Sequence, residues 1–263
     1  MKLSIILSYY RHLDNLKLIL KALNRQSELG FEVILSEDDN YPKTTDFVRQ
    51  HGKDYTFELV HLHQDVDDGF RKCAMLNRSV VTARSEKLAF IDGDCVPHRH
   101  FVRAYVRNLQ PGYYYSGRAV LLGDAISKKL VATQDLSLLS LFSVATSGSD
   151  RLKAAVYSPW FSLGMKARPV VGRNWGLCKQ HLLDVNGFDE DYIRAGTGED
   201  LDIEWRLRGE KLERRSLKNK AIVYHIHHPR HYSVADEEHN FGILKRKKAA
   251  GHLRCLNGIQ KLK

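Results

Sequence analysis

The sequence predicts an α/β fold in which a mainly parallel, Rossmann-like central sheet is flanked by helices. Over the first hundred residues, short apolar runs alternate with segments whose apolar residues recur at helical spacing. Repeated strand–helix units of this length require a parallel sheet with right-handed crossovers. Acidic residues directly follow two of the apolar runs. Ligands of such sheets bind beyond the carboxyl ends of the strands, so these acids indicate a binding site.

The first half of the chain contains four predicted strands and three predicted helices. The first helix places its leucine and isoleucine side chains on one face, and the second is closed by Gly52. The strands are predicted in KLSIILSYY, FEVILSEDDN, YTFELVHLH and KLAFIDGD, and the helices in LDNLKLILKALNRQ, TTDFVRQHG and DDGFRKCAMLNRSVVTAR.

The second half has a less regular pattern. YYYSGRAVLL predicts a strand, whereas the mixture of serine, glycine and apolar residues in 135–165 fits a helix, a lid or a flexible excursion. After this stretch, the pattern predicts strands in VVGRNWGLC and KNKAIVYHIHHP. Helices are predicted in KQHLLDVNG and in GEDLDIEWRLRGE, whose first turn is acidic.

Composition excludes several classes of protein. No apolar stretch approaches the length of roughly eighteen residues that a membrane-spanning helix needs. The N-terminal run lacks a small-residue cleavage site, so we interpret it as a strand and expect a cytoplasmic protein. The four cysteines show no CxxC spacing, which argues against both a disulfide framework and a zinc site.

The net charge of +10 is concentrated at the end of the chain. Residues 206–263 hold 15 Lys and Arg against 5 Asp and Glu, and the rest of the chain is balanced. Leu253, Leu256, Ile259 and Leu262 recur every third residue there, which fits an amphipathic helix on an anionic membrane surface. A terminal helix packed on the domain fits equally well. Nucleic acid is disfavoured as a partner because the basic residues lack interleaved aromatics and a recognisable motif.

Asp92 and Asp94 form an Asp-x-Asp pair after the fourth predicted strand. Oxygen ligands at a strand end suit Mg²⁺ or Mn²⁺, which would bridge the oxygens of a diphosphate. Gly93 between them permits close approach of a ligand to the backbone. The alternative is an acidic turn, because two neighbouring acids are common.

Histidines and further acids provide possible partners for this pair. His225 and His227 are two apart on a predicted strand and would share a face, with His228 pointing away. A histidine beside an aspartate favours Mn²⁺ over Mg²⁺, although edge or solvent contacts would equally explain these histidines. Glu199 and Asp200 begin a helix. The helix dipole alone explains acids at that position, and the functional alternative is a general base.

Taken in order, these features resemble the family 2 glycosyltransferases with the GT-A fold, and the resemblance covers most of the chain. GFRKCAMLNRSV followed by FIDGDC is similar to the branch related to bacterial chondroitin-type polymerases and the galactosyltransferase C-terminal half. NGFDEDY followed by ED is the most specific part. The other matching segments are SIILSYY, SEDDN, GRNWGLCKQHLLDV, GTGEDLDIEWRLRGEKL and AIVYHIHHP.

The resemblance implies roles for individual residues. Asp200 would be the catalytic base and Glu199 would hold acceptor hydroxyls. Asp94 would bind Mn²⁺ or Mg²⁺ together with His225, or with His227 as the alternative. An acid after the second strand would hold the nucleobase or ribose, and Glu37 and Asp39 are favoured over Asp38. The residues expected near the donor are Glu37, Asp39, Arg71, Asn77 and Asp92.

The implied activity is inverting transfer of a sugar from a nucleoside-diphosphate sugar, a UDP-sugar in the first instance. The acceptor would be a glycan or lipid-linked glycan in surface polysaccharide biosynthesis. Residues 1–110 would bind the donor, and residues 111–235 would form the smaller acceptor-binding and catalytic part of the same domain. Residues 236–263 would form a basic helical tail that could contact the inner face of the membrane. A metal-dependent nucleotidyltransferase is the alternative, although the glycine-rich basic loop it needs is missing, and a nucleic-acid-binding protein is a further one.

Overall fold

The computed structural model describes residues 1–160, 169–230 and 232–262, and it contains two β-sheets between layers of helices. The larger sheet has seven strands in the spatial order β3 (Glu58–Leu62), β2 (Phe31–Glu37), β1 (Leu3–Tyr9), β4 (Lys87–Asp92), β8 (Trp175–Cys178), β6 (Tyr113–Ser116) and β9 (Glu213–Ser216). The smaller sheet has three, in the order β5 (Cys95–Pro97), β10 (Ile222–His225) and β7 (Arg118–Leu121).

Nine α-helices of the described residues surround these sheets. They are α1 (Leu13–Leu23), α2 (Pro42–His51), α3 (Lys72–Thr82), α4 (Phe101–Asn108), α5 (Asp124–Thr133), α6 (Leu141–Ala145), α7 (Lys179–Asp184), α8 (Glu199–Gly209) and α9 (Val234–Ala250).

The predicted parallel half of the sheet is confirmed. β1 pairs in parallel with β2 and with β4, and β2 pairs in parallel with β3. The register sets Tyr9 opposite Glu37 and Ser8 opposite Asp92, so the carboxyl ends of three strands meet at one edge. β8 runs antiparallel to both β4 and β6. The sheet is therefore mainly, but not wholly, parallel.

The central strands are buried on both faces, which is why they appear as continuous apolar runs in the sequence. In β1, Leu3, Ile5 and Leu7 belong to the apolar layer beneath α1 and α4, while Ile6 belongs to the layer on the α3 and α8 side. In the second layer Phe90 stacks on Trp175 with ring centroids 4.6 Å apart. These two layers fix the strand ends that carry the acids.

The predicted strand YYYSGRAVLL is in fact two strands, β6 and β7, that belong to different sheets. Gly117 lies between the two strands. This position requires glycine, because a Cβ there would lie 2.3 Å from the Asn174 side chain. The helices α4 and α5 and the strands β5 and β9 were not predicted. Within the stretch 135–165, the described residues form α6 and two 3₁₀ turns (Leu136–Leu139 and Leu152–Ala154), and residues 161–165 lie outside the described residues.

The predicted helical tail over 236–263 forms only in part: α9 covers Val234–Ala250, whereas the amphipathic helix expected through Leu262 does not form. α9 ends at Gly251, whose φ of 73° is the left-handed conformation that terminates helices. The following segment instead hydrogen-bonds to the loop after α7: Cys255 N–H donates to Val185 O at 3.0 Å, and Ile259 N–H donates to Asn186 O at 3.0 Å. In the part of the chain that the structure describes, no helix is both long and apolar enough to cross a membrane.

Candidate active site

A cleft of about 1050 Å³ opens where β1, β2 and β4 end. Tyr9, Asp38, Lys72, Asp92 and Asp94 contribute to its lining. The cleft lies beyond the carboxyl ends of parallel strands, where α/β sheets bind their ligands. The sequence prediction of a site at this edge is therefore consistent with the shape of the molecule.

Asp94 and two histidines converge at one end of the cleft. Asp94 Oδ2 lies 2.9 Å from His228 Nε2 and 3.4 Å from His225 Nε2. Ile226 N–H donates to Asp94 O at 2.9 Å, which fixes the end of β10 against the turn after β4. That turn needs Gly93, because a Cβ there would lie 2.9 Å from Ser8 O.

The chemistry of Asp94, His225 and His228 fits a divalent cation. One ligand atom from each lies within 4.8 Å of the others. Burial alone would raise the pKa of Asp94, but hydrogen bonds from His225 and His228 outweigh it and hold that pKa well below its usual range. The same hydrogen bond raises the pKa of His228. An ionised carboxylate with two imidazoles suits Mn²⁺ better than Mg²⁺.

His227 lies apart from this cluster, contrary to the expectation that it shares a face with His225. β10 ends at His225, so strand alternation does not extend to His227. The His227 ring is half exposed, with Nδ1 3.4 Å from Asp124 Oδ1, and its backbone N–H donates to Ser127 Oγ. His228, which strand alternation predicted to point away from His225, instead contacts Asp94.

Asp200 and Glu199 lie in the first turn of α8, beside a lysine. Gly172 N–H donates to Asp200 Oδ2 at 2.8 Å. Lys72 Nζ lies 3.5 Å from Glu199 Oε1 and 3.3 Å from Asp92 Oδ1. The acids at the start of α8 therefore contact the Asp-x-Asp turn through Lys72, which joins the two parts of the site.

Asp200 has the electrostatics of a proton acceptor near neutral pH. Burial raises the pKa of Asp200 to about 7, repulsion from Glu199 and Asp92 adds to this, and Lys72 opposes it. Burial also raises the pKa of Glu199. Glu199 Oε2 is buried without a hydrogen-bond partner among the described residues, so this oxygen is still able to accept a hydrogen bond from a ligand.

Lys72 was missed by the sequence analysis. It stands next to Arg71 in GFRKC, the segment that the resemblance singled out. The Arg71 guanidinium instead pairs with Asp68 at 2.7 Å, while the Arg71 N–H donates to Asp38. The sequence could have indicated Lys72 because it is a cation directly after Arg71. Its place beside the carboxylates of Asp92, Glu199 and Asp200 follows only from the fold.

The three acids after β2 occupy different surroundings. Glu37 is fully buried, with Oε2 2.6 Å from His61 Nε2, and Asp39 pairs with Arg11. Asp38 lines the cleft and accepts from Gln64 Nε2 at 2.8 Å, and burial raises its pKa to about 6. The structure therefore places Asp38 in the cleft, rather than the favoured Glu37 and Asp39.

Asn77 does not line the cleft. Its side chain donates to Phe188 O at 2.9 Å and to Glu190 Oε1 at 2.9 Å, and accepts from Phe188 N–H at 2.8 Å. It thereby connects α3 to the segment NGFDEDY that precedes α8.

Comparison with known proteins adds a family and two curated relatives. The model of the family described as Glycosyl transferase family 2 matches residues 4–166. The chain is 24% identical over 244 residues to chondroitin synthase of Escherichia coli, covering 86% of this chain and 35% of that protein. It is 23% identical over 260 residues to chondroitin synthase of Pasteurella multocida (strain Pm70), covering 90% of this chain and 26% of that one. The chain thus spans about a third or less of the curated relatives it matches.

Solved structures share the fold. A mannosyltransferase from Pyrobaculum calidifontis in complex with GDP-Man and Mn²⁺ superposes with a TM-score of 0.63 at 14% identity, covering 95% of this chain and 64% of that one. Residues 1–349 of TarS from S. aureus, in complex with UDP, superpose with a TM-score of 0.61 at 14% identity, covering 94% and 65%. At this identity the likeness concerns the fold.

Proposed function

Since the chain belongs to glycosyl transferase family 2, we propose that it transfers a sugar from a nucleoside-diphosphate sugar to a hydroxyl group of a glycan acceptor. The family and the GT-A fold that the resemblance implied are confirmed. The observation that carries the proposal is the connection between the Asp94 cluster and the start of α8. Asp92 lies two residues before Asp94 and reaches Glu199 through Lys72.

The proposed metal ligands are Asp94, His225 and His228. A divalent ion, Mn²⁺ or Mg²⁺, held there would neutralise the charge that develops on the departing diphosphate. The two histidines that lie against the partly buried Asp94, and hold its pKa well below its usual range, support this assignment.

Asp200 is the proposed general base. It takes the proton of the acceptor hydroxyl while that oxygen attacks the anomeric carbon and the bond from this carbon to the diphosphate breaks. Attack from the face opposite the leaving group inverts the anomeric centre in a single displacement. A pKa near the operating pH supports this role, because a base must be ionised yet able to hold a proton. Glu199 would hold the acceptor through its unpartnered oxygen.

Asp38 is the proposed contact for the base or ribose of the donor, in place of Glu37 and Asp39. A UDP-sugar is the proposed donor. TarS, which shares the fold, has been solved with UDP and with UDP-GlcNAc, while the mannosyltransferase holds GDP-Man. The relatives' name, chondroitin synthase, supports a glycan acceptor in polysaccharide biosynthesis.

We also propose that the protein is cytoplasmic and binds an anionic membrane surface, where a lipid-linked glycan would be the acceptor. The support for membrane binding is now the positive charge of the C-terminal end alone. Leu253 packs against Gly209 and Ile259 against Gly187, which removes both from the expected membrane-facing stripe. The excess of lysine and arginine at this end remains as support. Flotation with anionic and neutral vesicles at low salt tests this interaction, and equal absence of binding to both would contradict it.

The experiment for the proposed function is a thermal-shift screen of UDP-sugars and GDP-mannose with and without Mn²⁺. We expect one nucleotide sugar to raise the melting temperature only when the metal is present. Asp94→Asn should lose this response, whereas Asp124→Asn, which changes an exposed aspartate outside the proposed metal ligands, should keep it. A wild-type protein that responds to none of these donors would contradict the proposal.

A further inference from the structure

The loop of residues 194–198 leads into α8 and so carries the carboxylates of Glu199 and Asp200. Ala195, within this loop, contributes to the lining of the cleft. Among the described residues, no backbone-to-backbone hydrogen bond joins residues 193–197 to another part of the chain. A loop without such bonds takes its position from the side chains that contact it.

Three side chains of α9 make polar contacts with this loop. Asn240 Nδ2 donates to Arg194 O at 3.1 Å, and Asp236 Oδ1 lies 3.6 Å from Arg194 Nη1. Towards the other end of the loop, Thr197 Oγ1 donates to Glu237 Oε1 at 3.1 Å. The three residues of α9 share a face, because residues three and four apart are neighbours on a helix. One face of α9 therefore holds the loop at two points.

The loop lies close against α9 at its glycines. A Cβ at Gly198 would lie 2.8 Å from Asn240 Cβ, and a Cβ at Gly196 would lie 3.4 Å from Glu237 Cγ. Gly196 also has a φ of 119°, a conformation that favours glycine. A larger residue at Gly198 would push the loop away from the helix. This close approach is what allows the short side chain of Asn240 to reach the backbone of the loop.

Packing alone does not explain an asparagine at position 240. Its side chain is fully buried, and Asn240 Oδ1 has no hydrogen-bond partner among the described residues. A buried acceptor without a partner costs free energy, so an apolar side chain would be more favourable if only packing mattered. The hydrogen bond to Arg194 O is what the asparagine supplies.

The start of α9 is also connected to the proposed metal site. The helix begins shortly after His228, and its first turn is fixed by a capping box in which Ser233 and Asp236 each accept a backbone N–H of the other. Just before this turn, the Tyr232 ring lies 3.3 Å from the position of a Cβ at Gly196. The segment that follows the metal ligand thus contacts the loop that leads to Asp200.

We propose that Glu237 and Asn240 are positioning residues for sugar transfer, which hold the loop 194–198 so that Glu199 and Asp200 keep their places beside Lys72. This inference rests on the proposed function. Neither residue touches the reacting atoms, and both act through the loop. A displacement of about 1 Å can slow a reaction by about a hundredfold, so the hold of α9 on the loop limits the rate of transfer.

Glu237→Ala tests the contact with Thr197. We expect kcat to fall by at least about tenfold in Mn²⁺, with unchanged donor affinity by calorimetry. Glu237→Gln, whose amide oxygen still accepts from Thr197, should restore most of the rate. Glu238→Ala is the matched control, because Glu238 is exposed in the same helix, and it should react as the wild type does.

The rate is measured as release of nucleoside diphosphate from the UDP-sugar or GDP-mannose that stabilises the wild type. Chondroitin oligosaccharides, chosen for the name of the curated relatives, are the added acceptor, and water serves as acceptor where they do not react. A wild-type protein that binds no donor would remove the proposed function itself, and this result is distinct from any difference between the variants.

The pH profile of kcat separates positioning from a general loss of structure. A loop that moves away from α9 exposes Asp200 to solvent, so the acid limb should move to lower pH in Glu237→Ala. The charged groups that face Asp200, which are Glu199, Lys72 and Asp92, are the same in both proteins. Asn240→Ala should move the limb in the same direction.

Wild-type kcat in both Glu237→Ala and Asn240→Ala would overturn the inference. An equal loss of kcat and donor affinity, or an unmoved acid limb, would also overturn it, because either result would assign these residues a structural role only. Thr197→Val removes the same hydrogen bond from the side of the loop, and it takes the place of Glu237→Ala if that variant does not fold.

Discussion

The side chain of Asn77 and the backbone of Phe188 exchange two hydrogen bonds, at 2.9 Å from Asn77 Nδ2 to Phe188 O and at 2.8 Å from Phe188 N–H to Asn77 Oδ1. The two residues are 111 positions apart in the chain. Asn77 is buried in α3, whose first residue is Lys72. This reciprocal pair therefore fixes the segment before α8 against the helix that carries the lysine of the site.

Asn77→Ala should lower the free energy of unfolding by about 2 kcal/mol, because it leaves a buried N–H and a buried carbonyl of Phe188 without their partner. Urea denaturation measures the change. Asn108→Ala is the control, since among the described residues the Asn108 side chain donates to Ala104 O alone, within its own helix. Equal losses in the two variants would contradict the connecting role of Asn77.

Arg206→Ala should cost about 3–5 kcal/mol of stability, because it leaves Asp202 as an unpaired buried charge. The Arg206 side chain is 2% exposed, pairs with Asp202 at 2.7 Å and donates to the carbonyl oxygens of Val185 and Gly187. Arg208→Ala, on the exposed face of the same helix, should stay within about 0.5 kcal/mol of wild type. A similar effect of both substitutions on the urea midpoint would argue against this interpretation.

His228→Ala and His227→Ala should differ in their effect on metal affinity. Calorimetric titration of Mn²⁺ in the presence of UDP should give at least about tenfold weaker binding for His228→Ala. His227→Ala should bind as wild type does, because its ring lies beside Asp124 and not beside Asp94. The reverse order of the two variants would restore the assignment made from strand alternation.

The rate of transfer should rise with pH through about 7 if Asp200 is the base. Its pKa is raised from 3.8 to about 7, so below that value the carboxyl is protonated and kcat should fall about tenfold per pH unit. The same shift means that the contribution of Asp200 to stability falls as pH rises from 3.8 to about 7, because over this range the unfolded chain loses a proton that the folded protein keeps. A kcat that stays constant down to pH 5, measured with saturating donor and Mn²⁺, would exclude this assignment.

The parallel half of the fold could be predicted from sequence because β1, β2 and β4 are buried on both faces and because β2 and β4 end in acids. β1 to β4 are short runs, and helices of clear period alternate with them along the chain. β6 and β7 were merged in the prediction, since nothing local indicates that Gly117 must avoid the Asn174 side chain. The last residues of the chain were predicted to be helical because their apolar residues recur every third position. In the structure, the segment after α9 instead hydrogen-bonds to the loop after α7 without forming a helix.

The site could be predicted only where a residue's role follows from its own element. Asp94 and Asp200 lie at the end of a strand and the start of a helix, and their elements are those that the sequence predicts. The choice of His228 over His227 depends on where β10 ends. The choice of Asp38 among three acids depends on which neighbours, His61 and Arg11, pair with the other two.

The central claim is that Asp200 takes the proton of the acceptor hydroxyl during sugar transfer. The most direct measurement compares wild type and Asp200→Asn for donor affinity in Mn²⁺ and for the rate of transfer at pH 8. Asparagine can still accept the Gly172 N–H bond, so the account predicts unchanged donor affinity with transfer slowed by at least about a hundredfold. Undiminished transfer by Asp200→Asn would contradict it.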